Sequence, residues 1–425
     1  MSNELLDELE WRGLIAQSSD REALAEHLSG GSRTLYCGFD PTADSLHIGS
    51  LVPLVALRRF QEHGHTPILL LGGATGLIGD PSFKDDERSL NSADVVADWV
   101  ESLRIQVEPF LSFDGNNPAI IANNLDWTKE LDVISFLRDV GKHFSVNAMI
   151  ARDSVRTRLE RADQGISYTE FSYMLLQGMD FLELAKRYDC SLQIGGSDQW
   201  GNIVSGVDLI RRQLAQEAHA LTLPLVTKAD GTKFGKTASG TIWLDGKKTS
   251  PYSFYQFWLN SADADVINFL KYFTGLSREE IDELAQAVAE RPHERQAQTV
   301  LAELVTELVH GADAVQSAQR ISQALFGGDV LKLTEADLEQ LALDGMPSST
   351  SQSGVGLLTA MVEAELAKST GEARKLVQGG GVRINGEQIS DPTVELDFEQ
   401  GFYGRFLLVK RGKKAHHLLV KENIQ

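Results

Sequence analysis

The first half of the chain alternates between two apolar spacings. TLYCGF (Thr34–Phe39) and TPILLL (Thr66–Leu71) are short, nearly continuous apolar runs bounded by turn residues, as in strands buried on both faces. Between them, His47 to His63 repeats its apolar residues at helical spacing, and Ile166 to Arg187 and Ile203 to Glu217 do the same around the strand SLQI. Strands alternating with helices predict an α/β fold with a doubly wound, mostly parallel, Rossmann-like sheet. Ligands then bind outside the carboxyl ends of the strands, in loops such as DPTADS, GGATGLIGDPS and GGSDQWG. Leu5, Leu6, Leu9, Trp11 and Leu14 fit one face of an N-terminal helix.

The pattern changes after Pro224. Lys228 to Gly240 is a polar, lysine-rich loop, and Pro251 to about Leu325 is helical throughout, including Asp263–Thr274 and Arg278–Glu290. Asp344–Gly354 (DGMPSSTSQSG) reads as a flexible linker, and the remaining residues restart with a helix, a turn and a strand. The expected organisation is an α/β domain over 1–224, the polar loop and a connector over 225–250 and an all-α domain over 251–327. A linker over 328–354 then leads to a small α+β domain over 355–425.

Composition narrows the function classes. With 425 residues, 42% apolar and 24% charged, the chain is long enough for several cores and unlike a disordered or fibrous sequence. A net charge of −20 argues against blanket binding to nucleic acid. The stretch from Val355 onward is different, carrying ten Lys and Arg against nine Asp and Glu. Cys37 and Cys190 are too few for a disulfide framework and suit a reducing compartment. The densest apolar stretch, Pro67–Ile78, is far short of the roughly 20 residues of a membrane span, so a cytoplasmic protein is expected.

Three places could carry chemistry. In YCGFDPTADSLHIGS, Gly38 clears the strand end, Asp44 or Ser45 can cap the following helix, Thr42 offers a hydroxyl and His47 sits in the first turn. Free amides and the dipole at such a helix start favour phosphate. In KFGKT, Lys233 and Lys236 stand on a glycine-containing loop that could close over a leaving pyrophosphate. Asp230 stands where a P-loop needs its first glycine, which argues against that reading. Tyr173, Gln177 and Asp180 lie at i, i+4 and i+7, within roughly 60° of arc on one helix face. Such a face suits a ligand with an amine and a hydroxyl. No clustering of His, Cys or carboxylates suggests a dedicated metal cage.

DPTADSLHIGS resembles the HIGH signature of class I aminoacyl-tRNA synthetases in its bacterial tyrosyl form, except that Ser50 replaces the second histidine. KFGKT resembles the KMSKS signature, and Tyr173-x-x-x-Gln177-x-x-Asp180 the tyrosine-binding helix of tyrosyl-tRNA synthetases. The resemblance implies that L-tyrosine is activated by ATP, with Mg²⁺ on its phosphates, and passed to tRNA(Tyr). Thr42, His47, Lys233, Lys236 and Thr237 would stabilise the reacting phosphates, with Lys84 and Arg88 as further cations. Asp180 and Tyr36 would hold the phenol. Tyr173, Gln177 and Asp80 would hold the ammonium, with Asn124, Gln193 and Gln199 around them. Gly38, Asp40, His47, Ser50, Gly195, Gly196, Asp198 and Lys236 would serve ATP, and Cys37 could touch its ribose. LAKSTGEARKLVQGGGVRINGEQI resembles a small RNA-binding fold shared with a ribosomal small-subunit protein. There Arg374, Lys375, Arg383, Lys410, Arg411, Lys413 and Lys414 would meet tRNA, with Arg211 and Arg212 as acceptor-stem candidates. The family also implies a homodimer, no membrane and no DNA. The alternatives are a tryptophanyl-type synthetase, a P-loop NTPase, or an RNA-binding protein without catalysis.

Overall fold

The computed structural model describes residues 4–80, 91–160, 165–232, 234–237, 240–326, 329–412 and 415–422. They form two compact units, Met1–Leu244 with Ala264–Ala285, and Asp245–Asp263 with Gln286–Gln425.

The first unit is built on strands β1 (Gln17–Ser18), β2 (Thr34–Phe39), β3 (Thr66–Leu71), β4 (Ile120–Asn123), β5 (Cys190–Gly196) and β6 (His219–Leu223). They lie in the order β1-β6-β5-β2-β3-β4, all parallel except the antiparallel edge pair β1–β6. The order reverses between β2 and β5, which opens a crevice beyond their carboxyl ends. The apolar runs explain the strands: five residues of β3 and all of β6 are buried. Tyr36, Ile68, Leu70, Trp127, Phe181 and Leu182 share one core cluster between sheet and helices.

Helix Tyr168–Tyr188 packs closely on helix Trp200–Leu214. A Cβ on Gly178 would sit 2.9 Å from Phe144 Cζ and 3.7 Å from the Gly206 nitrogen. The helix following β2 departs from expectation at its start. A 3₁₀ turn, Ile48–Ser50, precedes the α-helix Leu51–Glu62, and the capping side chain is His47, not Asp44 or Ser45. The Ser45 hydroxyl donates instead to the Leu46 carbonyl. A turn that tightens before the helix moves the cap two residues downstream. The polar loop after β6 contains a minimal antiparallel pair, β7 (Lys236–Thr237) and β8 (Gly240–Thr241).

The second unit has helices Pro251–Leu259, Gln296–His310 and Ala312–Leu325, followed by a five-stranded sheet. Its strands are β9 (Ser348–Ser351), β10 (Val382–Ile384), β11 (Glu387–Ile389), β12 (Phe406–Arg411) and β13 (Ala415–Lys421), in the order β11-β10-β12-β13-β9. The stretch expected as a flexible linker therefore contains β9, which pairs in parallel with β13. Its serines and threonine looked like linker residues because an edge strand takes its order from its neighbour's hydrogen bonds.

Histidines gather at the amino ends of the parallel strands. The His27 and His219 rings lie 4.4 Å apart, His27 Nε2 is 2.8 Å from Ser191 Oγ, and the Arg33 N–H donates to His65 Nδ1 at 3.2 Å. Burial pushes His27 and His65 down to about 4 and lowers His219 as well. Unfolded, each titrates near 6.5. Between these values the unfolded chain binds more protons than the native one. Stability therefore falls as pH drops from about 6.5 and levels off below about 4. Urea unfolding at stepped pH should show this decline, flattened in a His27→Gln/His65→Gln double variant. An identical decline in that variant would assign the acid limit to other groups.

Candidate active site

A cavity of about 480 Å³ opens where β2 and β5 diverge. One side chain organises its floor. Asp180, on helix Tyr168–Tyr188, is 2% exposed, and its carboxylate accepts from Asn124 Nδ2 at 2.9 Å and Trp127 Nε1 at 2.8 Å. Burial pushes its carboxyl up to about 7, against the pull of those two donors. Asn124 uses its whole amide. Its nitrogen also donates to Thr75 Oγ1 at 2.9 Å, and its oxygen accepts the Ala74 N–H at 2.7 Å.

The network continues toward the mouth. Thr75 Oγ1 donates to Asp40 Oδ1 at 2.6 Å, and the Tyr173 hydroxyl donates to Asp40 Oδ2 at 2.7 Å. Gln199 Nε2 donates to Asp80 at 2.8 Å and Asp198 at 3.2 Å, while Asn202 Nδ2 donates to Gln199 Oε1 at 3.1 Å. Burial, reinforced by Asp80, raises the Asp198 carboxyl. Four aspartates (Asp40, Asp80, Asp180 and Asp198) thus line one cavity, which suits a cationic group. Three polar atoms there have no partner among the described residues: the Tyr36 hydroxyl, Gln177 Oε1 and Gln193 Oε1. Burial and Asp180 hold the Tyr36 phenol protonated, with its pKa well above the ordinary value. An unpaired buried polar atom costs about 1–3 kcal/mol, so a ligand presenting matching groups recovers that loss.

The two signature loops meet above this floor. The Ile48 N–H donates to the Ile242 carbonyl at 2.9 Å, and the Leu244 N–H to the Leu46 carbonyl at 2.8 Å. The Ile242 N–H donates to the Gly235 carbonyl at 3.1 Å. Gly235 has φ +78°, and a Cβ there would lie 2.4 Å from Ile48 Cγ2, so only glycine fits. His47 Nδ1 accepts the Gly49 N–H at 3.0 Å, which leaves the neutral ring its proton on Nε2.

Of the sequence candidates, Tyr36, Gly38, Asp40, Thr42, His47, Ser50, Asp80, Asn124, Tyr173, Gln177, Asp180, Gln193, Gly195, Gly196, Asp198 and Gln199 all line this cavity. Cys37 lines it too, as a neutral thiol that burial pushes up to about 12. Lys84, Arg88, Lys233, Lys413 and Lys414 lie outside the described residues, as do the side chains of Lys236 and Thr237. Sequence reading missed Trp127, Thr75 and Phe234. A tryptophan just after Asn124 in NNLDW was the available hint for the first.

The tRNA candidates are dispersed. Arg211 and Arg212 both pair with Asp208 at 2.6 Å, and Arg212 also donates to the His143 carbonyl. In the second unit, Arg374 and Lys375 are exposed on helix Thr370–Gln378, and Arg383 on β10 is the register partner of Lys410 on β12. The Arg411 guanidinium donates to the Leu366 carbonyl.

The family model for class I tRNA synthetases (W and Y) matches residues 29–327, and that for the tyrosine–tRNA ligase SYY-like C-terminal domain matches residues 337–419. The chain is 58% identical over 416 residues to the tyrosine–tRNA ligase of Chromobacterium violaceum, covering 98% of each. It is 57% identical over 419 residues to that of Escherichia coli, covering 98% of this chain and 99% of the relative. A C-terminally truncated Aspergillus nidulans mitochondrial tyrosyl-tRNA synthetase superposes with a TM-score of 0.69 at 31% identity, over 76% of this chain and 94% of its own. A tryptophanyl-tRNA synthetase from Encephalitozoon cuniculi, with a TM-score of 0.52 at 14% identity over 78% and 89%, shares the fold alone.

Replacing Asn124 strips partners from Asp180, Thr75 and the Ala74 amide together. Asn124→Ala is expected to lower unfolding free energy by about 2–4 kcal/mol in urea titration. A change below about 0.5 kcal/mol would remove Asn124 from its organising place.

Proposed function

This chain belongs to the tyrosine–tRNA ligase family of class I aminoacyl-tRNA synthetases, and we propose how its residues run that reaction. The observation that carries the reading is the unpartnered Tyr36 hydroxyl, buried in the same pocket as the acceptor Asp180. A tyrosine phenol donates to the Asp180 carboxylate and accepts from Tyr36, which neutral phenylalanine and the larger indole cannot do. Its ammonium lies among Tyr173, Gln177 and Asp80, where Asp40 keeps the Tyr173 hydroxyl oriented. Gln193 and Gln199 turn the carboxylate toward ATP.

ATP enters with Mg²⁺ on its phosphates, which neutralises part of their charge. The tyrosine carboxylate attacks the α-phosphate in line, the bond to pyrophosphate breaks, and tyrosyl-adenylate forms. Thr42 and the His47 Nε2–H stabilise the crowded phosphate, while Lys233, Lys236 and Thr237, with Lys84 and Arg88, take the charge of the leaving pyrophosphate. Gly38, Gly195, Gly196, Asp198 and Ser50 hold the nucleoside. In the second step a terminal ribose hydroxyl of tRNA(Tyr) attacks the activated carbonyl and AMP leaves. Arg374, Lys375, Arg383, Lys410, Arg411, Lys413 and Lys414 grip the RNA backbone, and Arg211 and Arg212 face the acceptor stem.

The working form is a cytoplasmic homodimer. Val133, Ile134, Val146 and Tyr168, each more than half exposed on the first unit, supply apolar surface for the partner copy.

Exchange of labelled pyrophosphate into ATP, run with each of the twenty amino acids, should proceed with tyrosine alone. Exchange with tryptophan would transfer the pocket to the indole-using relatives, and none at all would leave an RNA-binding protein. Lys233→Ala/Lys236→Ala should abolish exchange and spare tyrosine binding. Burial pushes the Asp180 carboxyl up to about 7, and a phenol donating to it favours its deprotonated form. Tyrosine affinity should therefore be greatest above about pH 7 and fall below it, by up to about tenfold per unit. Calorimetric affinities that stay flat from pH 8 to 5.5 would place the phenol elsewhere.

A further inference from the structure

The second lysine loop rides on helix Asp263–Phe273, which neither signature includes. Near the helix start, Asp265 Oδ1 accepts the Ala229 N–H at 2.7 Å. Farther along, the Phe234 ring packs on Phe269 and Phe273, with centroids 5.2 and 5.6 Å away. The loop is therefore fastened to this helix on both sides of Asp230–Thr232.

Two buried arginines hold the far end of that helix. Arg59 Nη2 donates to the Thr274 carbonyl at 2.6 Å and stands 3.4 Å from that of Lys271. Arg12 reaches the carbonyls of Lys271 at 3.0 Å, Thr274 at 3.3 Å and Leu276 at 2.8 Å. The last carbonyls of a helix lack internal donors and carry the negative end of its dipole, so cations fit there. The arrangement is nonetheless expensive for stability alone. Both arginines are 4% exposed, and Glu8 pairs closely with Arg12 only, at 2.8 Å. It stands 3.8 Å from Arg59 Nε, which has no hydrogen-bond partner among the described residues. Apolar residues of similar volume would stabilise such a site as well or better. What they could not do is fix the helix axially, since a guanidinium donates to several carbonyls in one plane. Arg59 also stands on Leu51–Glu62, the helix that continues from the first signature loop.

We propose that Arg59, supported by Arg12 and Glu8, is a positioning residue for tyrosine activation. It locks helix Asp263–Phe273 to the helix of the first signature, and so sets where the KFGKT loop stands over the phosphates. The inference rests on the activation reading above, but its structural half can be measured without any reaction.

Hydrogen exchange of the 228–237 segment and steady-state pyrophosphate exchange, both on the full chain, test it with Arg59→Met, Arg59→Lys, Phe234→Leu and the Arg59→Met/Phe234→Leu pair. In Arg59→Met the loop amides should exchange about tenfold faster while β2, β3 and β5 keep their protection. The kcat should fall about tenfold and the KM for ATP rise, with tyrosine Kd in the absence of ATP changed less than twofold. Arg59→Lys keeps the charge but not the planar fork, so it should recover only part of the loss. Because both residues act along one path, the double variant should fall no further than the worse single variant.

Unchanged loop exchange in Arg59→Met, multiplied losses in the double variant, or a parallel loss of tyrosine binding would each overturn the proposal. Phe234→Leu leaves no buried charge behind, so it carries the test alone if Arg59→Met fails to fold. In that case unaltered kcat and KM for ATP overturn it. A wild-type chain without tyrosine-dependent exchange would sink the functional reading instead, while the loop measurement still decides whether Arg59 holds the helix.

Discussion

A buried carboxylate cannot stand alone in a protein interior, and the catalytic unit is arranged around satisfying one. Asp180 needs donors, and it finds them in Asn124 and Trp127, both just beyond β4. Asn124 then spends its remaining valences on Ala74 and Thr75 beyond β3, and Thr75 on Asp40 beyond β2. Tyr173 closes the circuit from Asp40 back to the helix that carries Asp180. Loops after three neighbouring parallel strands and one long helix are thereby held to a common geometry. A chain of charge-assisted hydrogen bonds of this kind resists the small shifts that spoil positional catalysis.

The same circuit separates charge within the cavity. The end of the cavity around Asp180 is acidic, which attracts a cation and repels a polyphosphate. Favourable interactions with a phosphate therefore need the other wall, where the first signature loop presents its amides and His47. The hydrogen bonds between Leu46–Ile48 and Ile242–Leu244 hold the first signature loop against the segment that follows KFGKT. An acidic protein can in this way handle a polyanion locally without attracting anions everywhere.

Much of this was legible in the sequence because it depends on local spacing. Helical periodicity alone put Tyr173, Gln177 and Asp180 on one face, and the apolar runs marked β2 and β3 with their true bounds. What escaped depends on distance along the chain. Trp127 meets Asp180 across 53 residues and Thr75 meets Asp40 across 35, so no window of sequence contains both partners. The cap at His47 was missed because a 3₁₀ turn displaced the helix start from the residue types that favour capping. Strand β9 was missed because its order comes from β13, some seventy residues later. Nothing near Arg12 or Arg59 in sequence announces a helix end 215 residues beyond Arg59.

The unpartnered groups in the pocket connect stability with specificity. Tyr36, Gln177 and Gln193 each keep a buried polar atom without a partner among the described residues, a choice that selection for stability alone would remove. Tolerating them means that the site by itself sits higher in free energy than an apolar one would. A ligand that supplies a phenol oxygen and ammonium protons regains that difference, whereas one lacking the hydroxyl leaves the penalty standing and adds the loss of its own hydration. Discrimination then comes less from what a matching ligand gains than from what a near-isostere fails to repair. The rigidity of the Asn124 circuit is what makes this work, because a pocket able to relax around phenylalanine would pair its own orphans and forgive the missing oxygen.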